Sequence, residues 1–182
     1  TYPILAQAQP VTMDLKLILA VDVSGSVNEE EARLQRQGYV VAIADPEIVR
    51  AIISGMLGRI AMTYFEWAGK GWQQPVVGWR LIDDRASAGT FAAELVRAPI
   101  SVGPWTSISS AIDYAVPLFA GNGFEGTRRV IDISGDGPNN TGRMAPAARD
   151  EAVARGVVIN GLPIVIERFN LSWASISNLD RY

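Results

Sequence analysis

The apolar residues of this chain fall into two patterns, and the patterns alternate along it. Residues 15–22 (LKLILAVD), 128–136 (RRVIDISGD) and 157–166 (VVINGLPIVI) are nearly continuous apolar runs with β-branched members, the signature of strands buried on both faces of a parallel sheet. Residues 59–67 (RIAMTYFEW) and 74–82 (QPVVGWRLI) are also strand-like, and the short AGKGWQ between them predicts an antiparallel hairpin. The intervening stretches carry helix signals. Asn28 followed by Glu29, Glu30 and Glu31 is a capping side chain with acids at the positive helix end, and Leu34, Tyr39, Val40 and Ile43 are the expected core stripe. Asp45-Pro46 restarts a short helix that stops near Gly55. Helices are expected over 84–97, with Phe91, Leu95 and Val96 inward, over 107–121, where Pro117 should kink or shorten it, and over 145–156, with Gly156 as its stop.

Strands alternating with helices predict an α/β fold: a mostly parallel sheet with one antiparallel edge strand and helices on both faces, joined by right-handed crossovers. The expected organisation is an N-terminal tail over 1–13 and a single domain over 14–182, with no repeat and no linker. Ala6-Gln7-Ala8 fits the small-x-small pattern before a signal-peptidase cut, so the opening reads equally as the remnant of an export signal or as a floppy terminus.

Composition narrows the chemistry. The 182 residues include no Cys and no His, which excludes thiolate zinc, iron–sulfur clusters, cysteine nucleophiles, a Ser-His-Asp triad and an HExxH zinc helix. A metal on this chain would sit on oxygen ligands, which favours the hard cations Mg²⁺, Mn²⁺ or Ca²⁺. The formal net charge is −3 with no basic block, so nucleic acid is not an expected partner. No run reaches the roughly 18 apolar residues of a membrane span.

Two of the buried runs end in an acid followed by a polar, glycine-containing turn: VDVSGSV at 21–27 and SGDGPNN at 134–140. Ligands of open α/β sheets bind beyond such carboxyl ends. Asp22, Ser24 and Ser26 alternate, so in extended backbone they can face one side, while Gly25 removes bulk at the bend. Asp136 can bring a second carboxylate from its own strand end, and Thr106, in GPWTS, stands on a loop just before a helix. Two carboxylates and three hydroxyls would roughly neutralise one divalent cation and leave it able to take another anionic oxygen.

These elements resemble the von Willebrand factor type A superfamily, which includes the integrin inserted domains. VDVSGS matches its DxSxS signature, Thr106 in GPWTSISSAI resembles its loop threonine, and Asp136 in VIDISGDGPNN resembles the acid of its (S/T)DG turn. INGLPI and ISGDGPNN are closer still to an uncharacterised, usually exported bacterial branch of that superfamily. The resemblance covers most of 14–166. It implies that Asp22, Ser24, Ser26, Thr106 and Asp136 form a metal-ion-dependent adhesion site. It further implies a non-enzymatic module that engages a partner protein's carboxylate through Mg²⁺, Mn²⁺ or Ca²⁺, in an extracytoplasmic setting. The family has six strands and a last helix; five strands are counted here, so the last strand and helix are expected to be missing or irregular. Residues 172–182 leave room for at most a short helix.

Two other functions compete. One is an intracellular subunit of a chelatase-like assembly, which uses the same domain type. The other is a phosphatase with Asp22 as nucleophile; it would want a second acid where Ser24 stands and a nearby lysine, and the only two lysines are Lys16 and Lys70. Asp132, inside a strand, is expected to pair locally with an arginine such as Arg129. Asn139 and Asn140 either shape the turn or contact a ligand. Trp67, Trp72 and Trp79 are expected to pack around the hairpin, whereas Trp105 could as well line the binding face. Glu29–Glu31 are expected to be solvated, and Ser134 structural.

Overall fold

A computed structural model describes residues 9–25 and 27–164. Ser26, the export-signal reading of Ala6-Gln7-Ala8, the last two residues of the expected strand 157–166 and the expected short helix all lie outside the described residues.

The continuous apolar runs become the middle of a five-stranded sheet. Its members are β2 (Leu15–Asp22), β3 (Ile60–Trp67), β4 (Gln73–Ile82), β6 (Arg129–Gly135) and β7 (Val158–Pro163), in the order β4-β3-β2-β6-β7. The β2–β3, β2–β6 and β6–β7 pairs are parallel, and only β3–β4 is antiparallel, as the short AGKGWQ connection requires. A second, two-stranded parallel sheet pairs β1 (Val11–Met13) with β5 (Phe124–Gly126). Residues 11–13, read from sequence as tail, are therefore strand.

Five helices complete the described part: α1 (Glu29–Ala44), α2 (Pro46–Ile53), α3 (Arg85–Arg97), α4 (Ile108–Leu118) and α5 (Ala145–Ala154). Alternation along β2 divides the core between the two sheet faces. Leu19 and Val21 pack with Ile43, Tyr64, Phe91 and Leu95 on the side of α1 and α3. Ile18 and Ala20 pack with Ala111, Ile112, Ala115, Ala148 and Ala152 on the side of α4 and α5.

Local signals set the helix ends. Asn28 and Glu31 form a reciprocal capping box on α1, and Asp45 caps α2 ahead of Pro46. Helix α4 stops one residue after Pro117, so the proline shortens the helix. Two expected core residues are on the outside. Leu34 is 66% exposed because α1 faces the sheet with Ala32, Arg36 and Ile43, and two residues from Ala32 is about 200° around the helix. Val96 is 62% exposed, one step of about 100° beyond the inward Leu95. Asp132 does not pair with Arg129. It accepts from Asn160 Nδ2 (2.7 Å), its cross-strand neighbour on β7, while Arg129 donates to the Arg155 carbonyl.

The strand order places β2 between a neighbour that follows it early in the chain (β3) and one that follows late (β6). The chain thus leaves β2 for one side of the sheet and later returns on the other, and the crevice this creates opens at the carboxyl end of β2, where Asp22 stands. At the opposite end lies Lys16. Its ammonium is buried and donates to the Phe119 carbonyl (2.6 Å), Asn122 Oδ1 (2.8 Å) and the Phe124 carbonyl (2.8 Å), 5.2 Å from the centre of the Trp79 ring. Six residue steps along the strand separate it from Asp22, roughly 20 Å.

Candidate metal centre

Asp22 ends the central strand, and its carboxylate is buried at 1% exposure. One oxygen, Oδ1, accepts from the Ser24 amide at 2.7 Å. The other, Oδ2, is buried without a hydrogen-bond partner among the described residues. Desolvation raises the Asp22 pKa to about 6, against relief from the Ser24 amide and hydroxyl; the Asp136 carboxylate pushes the same way as burial, and the Asp136 amide opposes it weakly. A buried carboxylate with one unsatisfied oxygen is costly to fold around, and an oxygen-seeking cation is one way to offset that cost.

Ser24 is fully buried, and its hydroxyl accepts from Thr106 Oγ1 at 3.1 Å. The two hydroxyl residues come from segments 82 positions apart. A string of backbone contacts joins these segments: Val23 N donates to the Trp67 carbonyl, Gly103 N to the Val23 carbonyl and Ser107 N to the Ala68 carbonyl, each at 2.9 Å. Asp136, just past the end of β6, lines a small cavity of about 40 Å³ together with Asp22, Val27, Glu31, Gln35 and Ile164. That space has room for an ion or for a few waters. The structure thus brings Asp22, Ser24 and Thr106 into one bonded unit and sets Asp136 against the same cavity; Ser26 is outside the described residues.

Several contributors were not legible as such. Asn140 Oδ1 accepts from the Thr106 amide at 2.8 Å, and the Asn140 amide returns a bond to the Thr106 carbonyl at 2.9 Å. Asn139 Oδ1 accepts from the Ser109 amide at 3.1 Å. Both asparagines therefore fasten the turn after β6 to the start of α4, which is the turn-shaping alternative with a non-local partner. A Cβ at Gly135 would stand 3.1 Å from Asp22 Oδ2 and 3.5 Å from the Trp67 ring, so glycine keeps room beside the unsatisfied oxygen. Glu31, expected to be solvated, and Gln35 reach the cavity from α1; Gln35 also donates to the Ser134 hydroxyl at 3.2 Å. Helical periodicity could have put Glu31 and Gln35 on one face, but not that face against Asp22.

The donor set suits a hard divalent ion. It comprises carboxylate and hydroxyl oxygens around a buried, underpartnered acid, and among the described residues no three acidic side chains are placed to hold one ion together. A single cation would thus meet no more than two carboxylates.

The structure is similar to several solved proteins. Proximal thread matrix protein 1 from the mussel byssus, in a structure with a zinc-occupied MIDAS motif, aligns with a TM-score of 0.63 at 14% identity, over 85% of this chain and 39% of that one. An aerotolerance-related membrane protein from Bacteroides fragilis NCTC 9343, carrying multiple mutations to serine, aligns with a TM-score of 0.54 at 24% identity, over 84% and 73%. The pilus adhesin SpaC from Lactobacillus rhamnosus GG aligns with a TM-score of 0.59 at 11% identity, over 85% and 25%. This chain spans less than half of the mussel protein and a quarter of the adhesin. No curated protein matches the sequence. No helix among the described residues is long and apolar enough to cross a membrane. The fold is of the von Willebrand factor type A kind, and a family model matches residues 12–182: the chain belongs to the family described as protein of unknown function DUF1194.

Proposed function

We propose that this chain is a divalent-metal-dependent protein-binding module, with Asp22, Ser24, Ser26, Thr106 and Asp136 as the residues that hold Mg²⁺, Mn²⁺ or Ca²⁺. The observation that carries the reading is the buried Asp22 Oδ2, without a hydrogen-bond partner among the described residues, at the carboxyl end of the central strand beside the Ser24–Thr106 pair and the cavity shared with Asp136. A bound divalent ion supplies an electrophilic position for an anionic oxygen, and a carboxylate on a partner protein is the group it would take. The chain's own contribution is to hold its oxygens in place and keep water from Asp22. The MIDAS motif of the mussel protein and the adhesive role in the pilus protein's name support the reading by likeness of fold. The membrane protein and the pilus adhesin among the neighbours likewise support an extracytoplasmic setting.

Two features weigh against an aspartyl-nucleophile phosphatase. The place for a second acid holds Ser24, fully buried and bonded, and of the two lysines Lys16 is fixed at the far end of the sheet while Lys70 is exposed on the loop after β3. An intracellular chelatase-like subunit would use the same metal residues, and fractionation of the native host separates the two: membrane or extracytoplasmic fractions support the adhesion reading, cytoplasmic ones the chelatase-like one.

The test is calorimetric titration of Mg²⁺ and Mn²⁺ into the chain and into Asp22→Ala and Asp136→Ala. Binding to the parent and loss in both variants is expected; equal affinity in all three refutes the assignment. A pull-down with and without chelator then asks whether partner capture requires the ion.

A further inference from the structure

The rim of the candidate site carries a residue that folding alone does not explain. Trp105 is 68% exposed, immediately before Thr106. It is the single non-glycine residue with a left-handed φ (62°) among the described residues, a conformation that is costly for a bulky L side chain. Every neighbour in the loop is tied down. Gly103 N donates to the Val23 carbonyl, Gly69 N to the Pro104 carbonyl and Ser107 N to the Ala68 carbonyl, each at 2.9 Å, and the Thr106 amide goes to Asn140. Further upstream, Arg36 donates to the Ala98 and Pro99 carbonyls. Gly69 accommodates this approach, since a Cβ there would fall 2.6 Å from the Pro104 carbonyl oxygen and 2.9 Å from Trp105 Cβ. The loop is a rigid frame, and the indole is what it projects into solvent.

We propose that Trp105 is the specificity-determining contact of the partner surface. The partner is a peptide segment with an aspartate or glutamate adjacent to an apolar or aromatic residue, whose side chain lies on the indole while the carboxylate would meet the bound ion. This rests on the metal-dependent reading above. Charge fixes which side of the site the segment covers. Exposed Lys70 follows Gly69, whose Cα lies against Pro104 and Trp105. An acidic segment is attracted to the Lys70 and Trp105 side. Exposed, preorganised tryptophans are also the side chains that most often dominate protein interfaces, because they bury a large area with little loss of rotamer freedom.

The experiment uses fluorophore-tagged, end-blocked peptides Gly-Gly-Asp-Xaa-Gly and Gly-Xaa-Asp-Gly-Gly, with Xaa as Gly, Leu, Phe or Lys. They are titrated in Mg²⁺ with the parent chain, Trp105→Gly and Trp105→Ser, and read by anisotropy. In parallel, calorimetry measures Mg²⁺ binding to the parent, and thermal melts are taken of all three proteins. The parent is expected to bind the Leu or Phe peptides roughly 10- to 100-fold more tightly than the Gly peptides. Both variants are expected to lose that preference. Trp105→Gly is expected to melt no lower than the parent, because glycine relieves the φ and little packing is lost. The proposal is overturned by a parent preference for Lys, by no preference, by a preference that survives in the variants, or by a Trp105→Gly protein that melts well below the parent, which would make the indole a packing residue. Mg²⁺ bound with no peptide bound also overturns it and leaves the metal site standing. No Mg²⁺ bound removes the metal-dependent reading itself.

Discussion

Asp22 is the residue on which the site turns, because the fold isolates a carboxylate that would otherwise be solvated. Its pKa, raised to about 6 from 3.8 chiefly by burial, fixes the sign of a pH effect. Between those values the native, metal-free chain holds a proton that the unfolded chain has released. Stability therefore falls as pH rises through about 4 to 6, by at most about 3 kcal/mol, the reverse of an ordinary salt-bridged acid. A cation competes with the same proton, so Mg²⁺ affinity should weaken as pH drops through about 6. Melts with chelator at pH 4.5 and 7.5 should show the higher midpoint at the lower pH from this group, and Mg²⁺ should raise the midpoint at 7.5 much more than at 4.5. Gly135→Ala tests the space beside Asp22 Oδ2. The new methyl, 3.1 Å from that oxygen, should reduce Mg²⁺ affinity several-fold with a stability change of about 1 kcal/mol. Calorimetry and urea denaturation read the two effects separately, and a large loss of stability would assign the glycine to packing with Trp67 instead.

At the scale of elements, the site is a meeting of strand ends and loops, and the ties between them are what the sequence conceals. The apolar runs, the capping acids and the hairpin spacing are local signals, so the β4-β3-β2-β6-β7 sheet and its helices were largely readable. DVSGS, Thr106 and Asp136 stood out only together, as a family pattern on three segments in order, because Asp, Ser and Thr at turns and helix starts commonly serve as local caps. What pairs with what was not readable. Asp132 went to Asn160 across the sheet and not to Arg129, and Leu34 and Val96 point outward although nothing in their own type says so. Asn140 and Arg36 are the clearest cases, since each acts on a segment tens of residues away. Asn140→Ala removes the acceptor of the Thr106 amide and should lower metal affinity while costing about 1 kcal/mol of stability; a chelator-insensitive melting loss with unchanged affinity would make the tie purely structural. Arg36 is buried and donates Nε and Nη2 to Glu66 Oε1 at 3.0 and 2.7 Å, besides its bonds to the Ala98 and Pro99 carbonyls. Arg36→Leu leaves Glu66 charged and unpaired in the core, and urea denaturation should show a loss of about 3–5 kcal/mol, with the Arg36→Leu/Glu66→Leu double variant less impaired than the single.

For the whole molecule, these ties couple the ion to global stability. The carboxylate of Asp22 belongs to the strand on which both cores pack, so the free energy of binding at its oxygen is added to that of the fold as a unit. At a free Mg²⁺ concentration of about 100 times Kd, a single site stabilises the native state by about 2.7 kcal/mol. For a chain of this size that is a rise in Tm of roughly 5–10 °C. Asp22→Asn separates the two roles of the residue. The amide removes the buried charge and keeps an oxygen for the Ser24 amide, so at pH 7.5 in chelator the variant should melt no lower than the parent. It should then show no rise on adding Mg²⁺, because the anionic oxygen that meets the cation is gone. A parent that gains from Mg²⁺ while Asp22→Asn gains as much would place the ion elsewhere on the molecule. A variant that melts far below the parent in chelator would mean that the charged carboxylate itself is needed to hold the strand end and its loops together.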